Sequence, residues 1–156
     1  MAEQPPRPLI PDFDDDPERF AANQAATQQF SLAGDVQQPV ADRLAACGTG
    51  RVLDLGGGNG MLARLLAGHQ VPCVVVDRAR YVRDAPRPAV QADAARLPFV
   101  DGCFGAVAAL WMLYYVPQPE AVLAESARVL RDDGVLSPVL LAATTIPSSQ
   151  TCCLAG

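Results

Sequence analysis

The chain has 156 residues, of which 50% are hydrophobic and 19% charged, and these values predict one soluble globular domain with a sizeable core. Its net charge of −5 and its pI of about 4.7 argue against a nucleic-acid partner, because phosphate backbones are bound by clustered positive charge. No run reaches the roughly 18 apolar residues of a membrane span and no signal peptide is recognisable, so we expect a cytoplasmic protein without a membrane partner.

The N-terminal region is expected to be irregular at first and helical afterwards. Residues 1–17 contain five prolines and a run of acids, which predicts a disordered arm. Residues 18–30 have a composition compatible with a helix, and a second helix is predicted to start near Pro39. The inner face of that second helix would carry Val40, Leu44 and Cys47.

The most informative stretch runs from Val52 to Gly60. An apolar run that includes Asp54 is followed by four glycines in five positions and then by the helical pattern that starts at Met61. A strand, a tight glycine turn and a helix form the first unit of a nucleotide-binding α/β fold. Glycine permits positive φ and lets a ligand approach the backbone. No lysine follows the glycines, which excludes a phosphate-binding P-loop.

Strands and helices alternate over the rest of the chain. Strands are predicted at 51–55, 73–76, 89–91 and 104–112, and a fifth strand is predicted to start at Val135. Helices are predicted at 60–67 and from Pro119 to Gly134, where glycine ends the helix. This alternation predicts an α/β, Rossmann-like, mostly parallel sheet of about five strands with helices on both faces.

The glycine turn can be interpreted in two ways. Gly58–Ala63 satisfies G-x-G-x-x-A, a dinucleotide fingerprint, whereas Asp54–Gly60 satisfies D-x-G-x-G-x-G and resembles the first motif of class I S-adenosylmethionine (SAM) dependent methyltransferases. Asp77, 17 residues after Gly60, ends the second strand and can accept both hydroxyls of a ribose. Such a charge-assisted pair contributes about 1.5–3 kcal/mol. NAD and SAM both carry that ribose, so Asp77 does not separate them.

Two later segments favour the methyltransferases. Gln91–Val107 reads QADAARLPFVDGCFGAV and resembles that family's adenine segment and fourth strand. Ala127–Leu136 reads ARVLRDDGVL and resembles its R-V-L-K-P-G-G-x-L turn from helix to strand. The resemblance spans roughly residues 36–136 and is strongest to the group related to quinone-biosynthesis methyltransferases.

The resemblance implies a SAM site and a small-molecule acceptor, with no metal and no assigned catalytic residue. Asp93 would accept a hydrogen bond from the adenine amino group, Ala94 would meet the ring edge, and the stem of Arg78 would stack on the ring. The backbone at Leu110 and Trp111 would receive the methionine ammonium, while Tyr114 or Tyr115 would face the acceptor. The cofactor-binding residues are then Asp54, Gly56, Gly58, Gly60, Asp77, Arg78, Asp93, Ala94, Leu110 and Trp111.

The chain departs from the family pattern in its last part. Gly105 replaces the family's usual acid, and nothing after Leu136 resembles the remaining strands of a seven-stranded sheet ordered 3-2-1-4-5-7-6. Pro138 interrupts the expected fifth strand. We therefore predict a sheet ordered 3-2-1-4-5 within a SAM-binding domain at 18–136, followed by an atypical tail at 137–156. An exposed fifth strand would favour self-association.

Three functions are compatible with these features: a SAM-dependent methyltransferase, a non-catalytic SAM-binding module or truncated methyltransferase, and an NAD-dependent oxidoreductase. His69 is rejected as a general base, since it follows the first helix of the sheet domain, away from the crevice at the strand C-termini. The five cysteines form no C-x-x-C pair, and Cys47, Cys73 and Cys103 are expected to be buried thiols.

Overall fold

The computed structural model describes residues 36–139 continuously, and before them only Asp16 and some residues between 18 and 26. Those described between 18 and 26 are helical, as predicted. Apart from Asp16, the predicted N-terminal arm lies outside the described residues, as does the tail from residue 140 onward.

Between residues 36 and 139 the structure contains four helices and five strands. The helices are α1 (Gln37–Ala46), α2 (Met61–Gly68), a 3₁₀ helix (Arg80–Asp84) and α3 (Pro119–Val129). The strands are β1 (Val52–Leu55), β2 (Cys73–Asp77), β3 (Ala89–Gln91), β4 (Phe104–Leu110) and β5 (Leu130–Val139).

The five strands form one sheet in the order β3-β2-β1-β4-β5, which confirms the predicted fold class and strand order. Every ladder is parallel. All residues of β1 and β4 are buried, because both central strands are covered on each face. This is why both segments are apolar throughout in the sequence, with Asp54 as the exception.

Helices pack on both faces of the sheet. Side chains of α1 and α2 contact one face through a cluster that includes Leu44, Leu62 and Val52. On the other face, α3 contributes Val122 and Val129 to the largest core cluster. Because side chains alternate along a strand, Asp54 shares the face of Val52 beneath α1 and α2.

The boundaries of the last elements differ from the prediction. Helix α3 ends at Val129, and β5 begins at Leu130 instead of Val135. Leu130 pairs with Phe104 while Val135 pairs with Ala106, so residues 131–134 bulge out of the ladder. Strand β4 stops at Leu110, before the predicted end at residue 112, because the next residue leaves the extended conformation.

Pro138 does not interrupt the fifth strand. It lies opposite Ala109, and β5 continues to Val139. Proline is tolerated here because β5 is the outer strand of the sheet that the structure describes. An outer strand has a neighbouring strand on one side only, so a missing N–H donor can be accommodated.

The prediction of a buried thiol was wrong for Cys47. Helix α1 ends at Ala46, and Cys47 follows in an exposed turn. The buried face of α1 is formed by Ala41 and Leu44. None of the described helices is both long enough and apolar enough to cross a membrane.

Candidate functional site

The glycine turn between β1 and α2 lies at the C-terminal edge of the sheet and requires glycine for two reasons. Gly56, Gly58 and Gly60 have φ values of 69°, 56° and 80°, in the left-handed region that side chains disfavour. A Cβ on Gly56 would lie 2.7 Å from Met112 Cβ, and one on Gly60 would lie 2.7 Å from Pro86 Cδ. The turn therefore packs directly against the segment after β4 and the end of the 3₁₀ helix.

Most backbone amides of the glycine turn are already used within the protein. Gly56 and Gly57 donate to the carbonyl of Val76 at 2.7 and 3.2 Å, and Gly60 donates to the carbonyl of Gly57 at 2.8 Å. Gly58 donates to Asp77 Oδ2 at 2.8 Å. An anion-binding turn needs unpaired amides that converge on the ligand. In this turn, four backbone amides are instead hydrogen-bonded to carbonyl or carboxylate oxygens of the protein.

Asp77 ends β2 and holds the turn in place. Its Oδ2 accepts the Gly58 amide and its Oδ1 accepts the Ala79 amide, each at 2.8 Å. A carboxylate oxygen can accept more than one hydrogen bond. The half-buried side chain can thus support the turn and still accept further donors.

Asp54 is buried beneath the same turn, with 2% of its surface exposed. Burial, and then the charge of Asp77, raise its pKa to about 7. A Cβ on Gly57 would overlap the Asp54 carboxylate, so this glycine makes room for the acid. Within the described part of the chain, Asp54 Oδ2 and Asn59 Oδ1 are buried acceptors without a hydrogen-bond partner.

The predicted adenine segment lies beside the end of β2. Ala92 donates its amide to the carbonyl of Asp77 at 3.0 Å, and Gln91 Nε2 donates to the carbonyl of Arg78 at 2.9 Å. The following turn is closed by Asp93 Oδ1, which accepts the Ala95 amide at 2.9 Å. Asp93 is exposed, whereas the side chain of its neighbour Ala94 is in the core.

The end of β4 completes the same edge. Leu110 is buried, and Trp111 has φ of +61°, a rare conformation for a residue with a side chain. Strained backbone of this kind is concentrated at functional sites. Met112 then covers Gly56, so the structure brings the predicted Leu110–Trp111 segment next to the glycine turn.

The two tyrosines that follow form a pair. The ring centroids of Tyr114 and Tyr115 are 4.3 Å apart and the rings are tilted by 52°. Burial, and then the neighbouring Tyr115, raise the pKa of Tyr114. At neutral pH its phenol is therefore a hydrogen-bond donor and not a base. That either ring faces an acceptor stays a prediction.

His69 lies outside this group of residues. It follows the C-terminal end of α2, and its Nε2 is 2.8 Å from Asp42 Oδ1 on α1. That contact is at the sheet edge opposite the strand C-termini. The position agrees with the rejection of His69 as a base.

Sequence reasoning did not identify the contacts that hold the adenine segment. Arg128 on α3 donates to the carbonyls of Phe99 and Leu97 at 2.8 and 3.1 Å and to Asp101 Oδ1 at 2.7 Å. Glu125 orients this guanidinium at 2.7 Å and also accepts the Leu97 amide at 2.7 Å. Leu97, Phe99 and Asp101 lie 27 to 31 residues before Arg128, so no local sequence pattern reveals these contacts.

We predict that the Glu125–Arg128 pair stabilises the protein at neutral pH and that this stabilisation is lost in acid. Hydrogen bonds from Arg128, and then the Leu97 amide, lower the pKa of Glu125 to about 2. Because the folded-state pKa is depressed, the stabilisation is complete above about pH 4.5 and is lost as the pH falls toward 2. Glu125→Gln should therefore lower the urea midpoint at pH 7, and the difference should shrink between pH 5 and pH 3.

The matched control is Glu120→Gln, an exposed acid in the first turn of the same helix. It should leave the midpoint nearly unchanged. A difference at Glu125 that did not vary with pH would show that the residue acts through packing and not through its charge.

Comparison with known proteins gives one family and several relatives. The family described as Methyltransferase domain matches residues 53–137. A demethylmenaquinone methyltransferase of Mycolicibacterium vanbaalenii is 41% identical over 92 residues, covering 55% of this chain and 40% of the relative. A phosphatidylethanolamine N-methyltransferase of Cereibacter sphaeroides is 35% identical over 97 residues, covering 54% of this chain and 47% of the relative.

Solved structures show the same fold. A Methanococcus maripaludis protein described as a SAM-dependent methyltransferase superposes with a TM-score of 0.63 at 18% identity, covering 88% of this chain and 67% of that one. Against the two curated relatives, the chain spans only about half of the protein that it matches.

Proposed function

This chain belongs to the Methyltransferase domain family, and on that basis we propose that it binds SAM and transfers the methyl group to a small-molecule acceptor. The family membership supports methyl transfer in general. The choice of cofactor is supported by the chemistry of the glycine turn, and the acceptor class by the relatives.

The observation that carries the proposal is that the glycine turn presents acceptors and negative charge. Four of its backbone amides already donate hydrogen bonds within the protein. Asp77, the buried carboxylate of Asp54 and the buried side-chain oxygen of Asn59 lie at the turn as acceptors. The pyrophosphate of NAD is an anion that offers acceptors only, so it would need free donors here. Both cofactors bring ribose hydroxyls, but SAM has no pyrophosphate and instead brings an ammonium group and a positively charged sulfur. The turn thus favours SAM over NAD.

Different residues would contact the ribose, the adenine and the methionine end of the cofactor. Asp77 would accept the ribose hydroxyls, and Asp93 with the Ala94 backbone would hold the adenine ring against Arg78. The Asp54 carboxylate and the backbone at Leu110–Trp111 would hold the methionine end, since a buried unpaired carboxylate oxygen fits an ammonium donor.

When bound, SAM supplies a methyl group that its cationic sulfur already activates for transfer. The chain's contribution is then mainly to hold the reactants in line, and well-oriented intramolecular reactions reach effective molarities of about 10⁵–10⁸ M. Tyr114, kept protonated by its raised pKa, can donate a hydrogen bond but cannot act as a base at neutral pH.

Calorimetric titration with S-adenosylhomocysteine and with NAD tests the cofactor. We expect heat with S-adenosylhomocysteine and none with NAD. Asp77→Ala should weaken S-adenosylhomocysteine binding at least about tenfold, because the charged ribose contact is lost. Asp42→Ala, an exposed acid at the opposite edge of the sheet, should not change it. Heat with NAD alone would overturn the proposal, and unchanged affinity in Asp77→Ala would move the ribose site elsewhere.

A second candidate is a SAM-binding module without transferase activity. Because the chain spans 40% and 47% of the two relatives named above, their transferase activity has to be tested separately from cofactor binding. The acceptors in the names of those relatives, demethylmenaquinone and phosphatidylethanolamine, are both lipids and are suitable first substrates. Transfer of labelled methyl to either one would support the enzyme, whereas S-adenosylhomocysteine binding without transfer would support the module.

A further inference from the structure

The positive charge of this acidic protein is concentrated in one segment. Residues 78–96 contain five arginines and two aspartates, and the rest of the chain has seven arginines against fifteen acids. The segment thus carries a net charge of +3 and the remainder −8. Separation of this kind creates a local positive potential on a protein that is negative overall.

The 3₁₀ helix turns this charge toward solvent. Residues three apart lie on the same side of a 3₁₀ helix, so Arg80 and Arg83 project together. Both are exposed, as is Arg87 after the helix, whereas Val82 is 2% exposed and anchors the segment to the core. In the part of the chain that the structure describes, none of these three arginines forms an ion pair.

This segment borders the glycine turn. Arg64 on α2 donates to the carbonyl of Asp84, the last residue of the 3₁₀ helix, at 3.1 Å and to the carbonyl of Asn59 in the turn at 2.7 Å. Arg64, an exposed residue, thereby places a fourth positive charge beside the helix. We refer to Arg64, Arg80, Arg83 and Arg87 as the arginine face.

The sequence led us to expect no membrane partner because it lacks an apolar span; the exposed arginines instead suggest a peripheral contact. We propose that the arginine face docks the protein on the surface of an anionic phospholipid membrane, so that the crevice beside the glycine turn lies next to the bilayer. The inference rests on the proposed function and names a lipid as the acceptor class. Guanidinium groups pair well with phosphate oxygens.

The arrangement fits an extended surface better than a single phosphate. The four arginines are exposed residues on α2, on the 3₁₀ helix and in the loop after it, and Arg64 and Arg87 also donate to backbone carbonyls. A site for one small anion would instead be expected to enclose it with converging donors. Clustered basic residues near an anionic leaflet each strengthen binding by roughly fivefold, and salt screens the effect within a Debye length of about 8 Å.

Sedimentation with lipid vesicles tests the proposal. The full chain should bind vesicles of phosphatidylcholine that contain phosphatidylglycerol, should not bind phosphatidylcholine alone, and should dissociate as salt is raised. Arg80→Gln combined with Arg83→Gln should weaken binding by about 25-fold, from roughly fivefold per arginine. The control combines Arg43→Gln with Arg51→Gln, two exposed arginines outside the segment that give the same change in net charge.

The outcomes separate the docking surface from the proposed function. An equal loss in the control pair, binding to neutral vesicles, or binding of single-stranded RNA in place of vesicles would each overturn the docking proposal. S-adenosylhomocysteine is titrated into the same variants and should bind them all equally. Vesicle binding without S-adenosylhomocysteine binding would overturn the SAM proposal alone, and the reverse result would overturn only the docking proposal.

Discussion

Asp54→Asn should raise the free energy of unfolding by about 2–4 kcal/mol at pH 8. The reason is that burial makes the ionised carboxylate less stable in the folded protein than in the unfolded chain. The side chain is 2% exposed, and its pKa is raised from 3.8 to about 7. The folded state thus binds the proton more tightly than the unfolded chain does. Stability falls as the pH rises from about 4 to about 7, and the full cost applies above pH 7.

Urea unfolding at pH 8 and at pH 5 measures this effect. The gain from Asp54→Asn should be largest at pH 8 and should diminish toward pH 4, where both states of the original protein are protonated. Asp132→Asn, an exposed acid on β5, is the control and should change little. A gain that is the same at both pH values would show that ionisation of Asp54 is not its cause.

The same substitution should weaken the proposed cofactor contact. If Asp54 pairs with the methionine ammonium, Asp54→Asn loses the charge that binds it, and S-adenosylhomocysteine affinity should fall about tenfold or more. In the original protein, affinity should decline as the pH drops below about 7, and Asp54→Asn should remove that dependence. A more stable variant that binds less well is the expected pattern for a functional buried charge. Unaltered affinity would remove Asp54 from the cofactor site.

Gly105→Ala should destabilise the protein by about 3 kcal/mol, since the new methyl group has no space. A Cβ at this position would overlap the carbonyl oxygen of Thr49 and the guanidinium of Arg131. Both neighbours are constrained: Arg131 donates to the Thr49 carbonyl at 2.9 Å, and the Gly105 amide donates to the carbonyl of Arg51 at 2.9 Å. Strand β4 cannot shift away, because it pairs with β1 and β5.

The matched control is Gly68→Ala at the end of α2, where a Cβ meets nothing within 4 Å. This variant should be neutral or slightly stabilised, because alanine favours a helix by about 1 kcal/mol over glycine. Guanidinium unfolding of the two variants measures the contrast. A near-neutral Gly105→Ala would show that the segment from Thr49 to Arg51 can move away from β4 at little cost.

Gly105 also shows how tertiary context changes the meaning of a motif. The family pattern has an acid at this position, and this chain has glycine there. The structure gives the reason: the segment before β1 and the guanidinium of Arg131 occupy the space that a side chain would need. Arg131 lies 82 residues from Thr49, so spacing in the sequence could not have revealed the contact.

The elements whose signals are local could be predicted from the amino-acid sequence. The apolar run at β1, the glycines after it and the helical pattern of α2 each have a conformational cause within a few residues, and Asp77 was correctly placed at the end of β2. Alternating strands and helices then leave few topologies, because parallel crossovers are right-handed.

The properties that depend on distant parts of the chain became visible only once the packing was known. These are the burial that raises the pKa of Asp54, the hold of Arg128 on the adenine segment, and the start of β5 at Leu130. Each arises when packing removes water or brings together groups far apart in sequence, and neither spacing nor composition contains that information. Local chemistry therefore predicted the glycine turn and the position of Asp77 at the end of β2, and packing set the pKa of Asp54 and the contacts of Arg128.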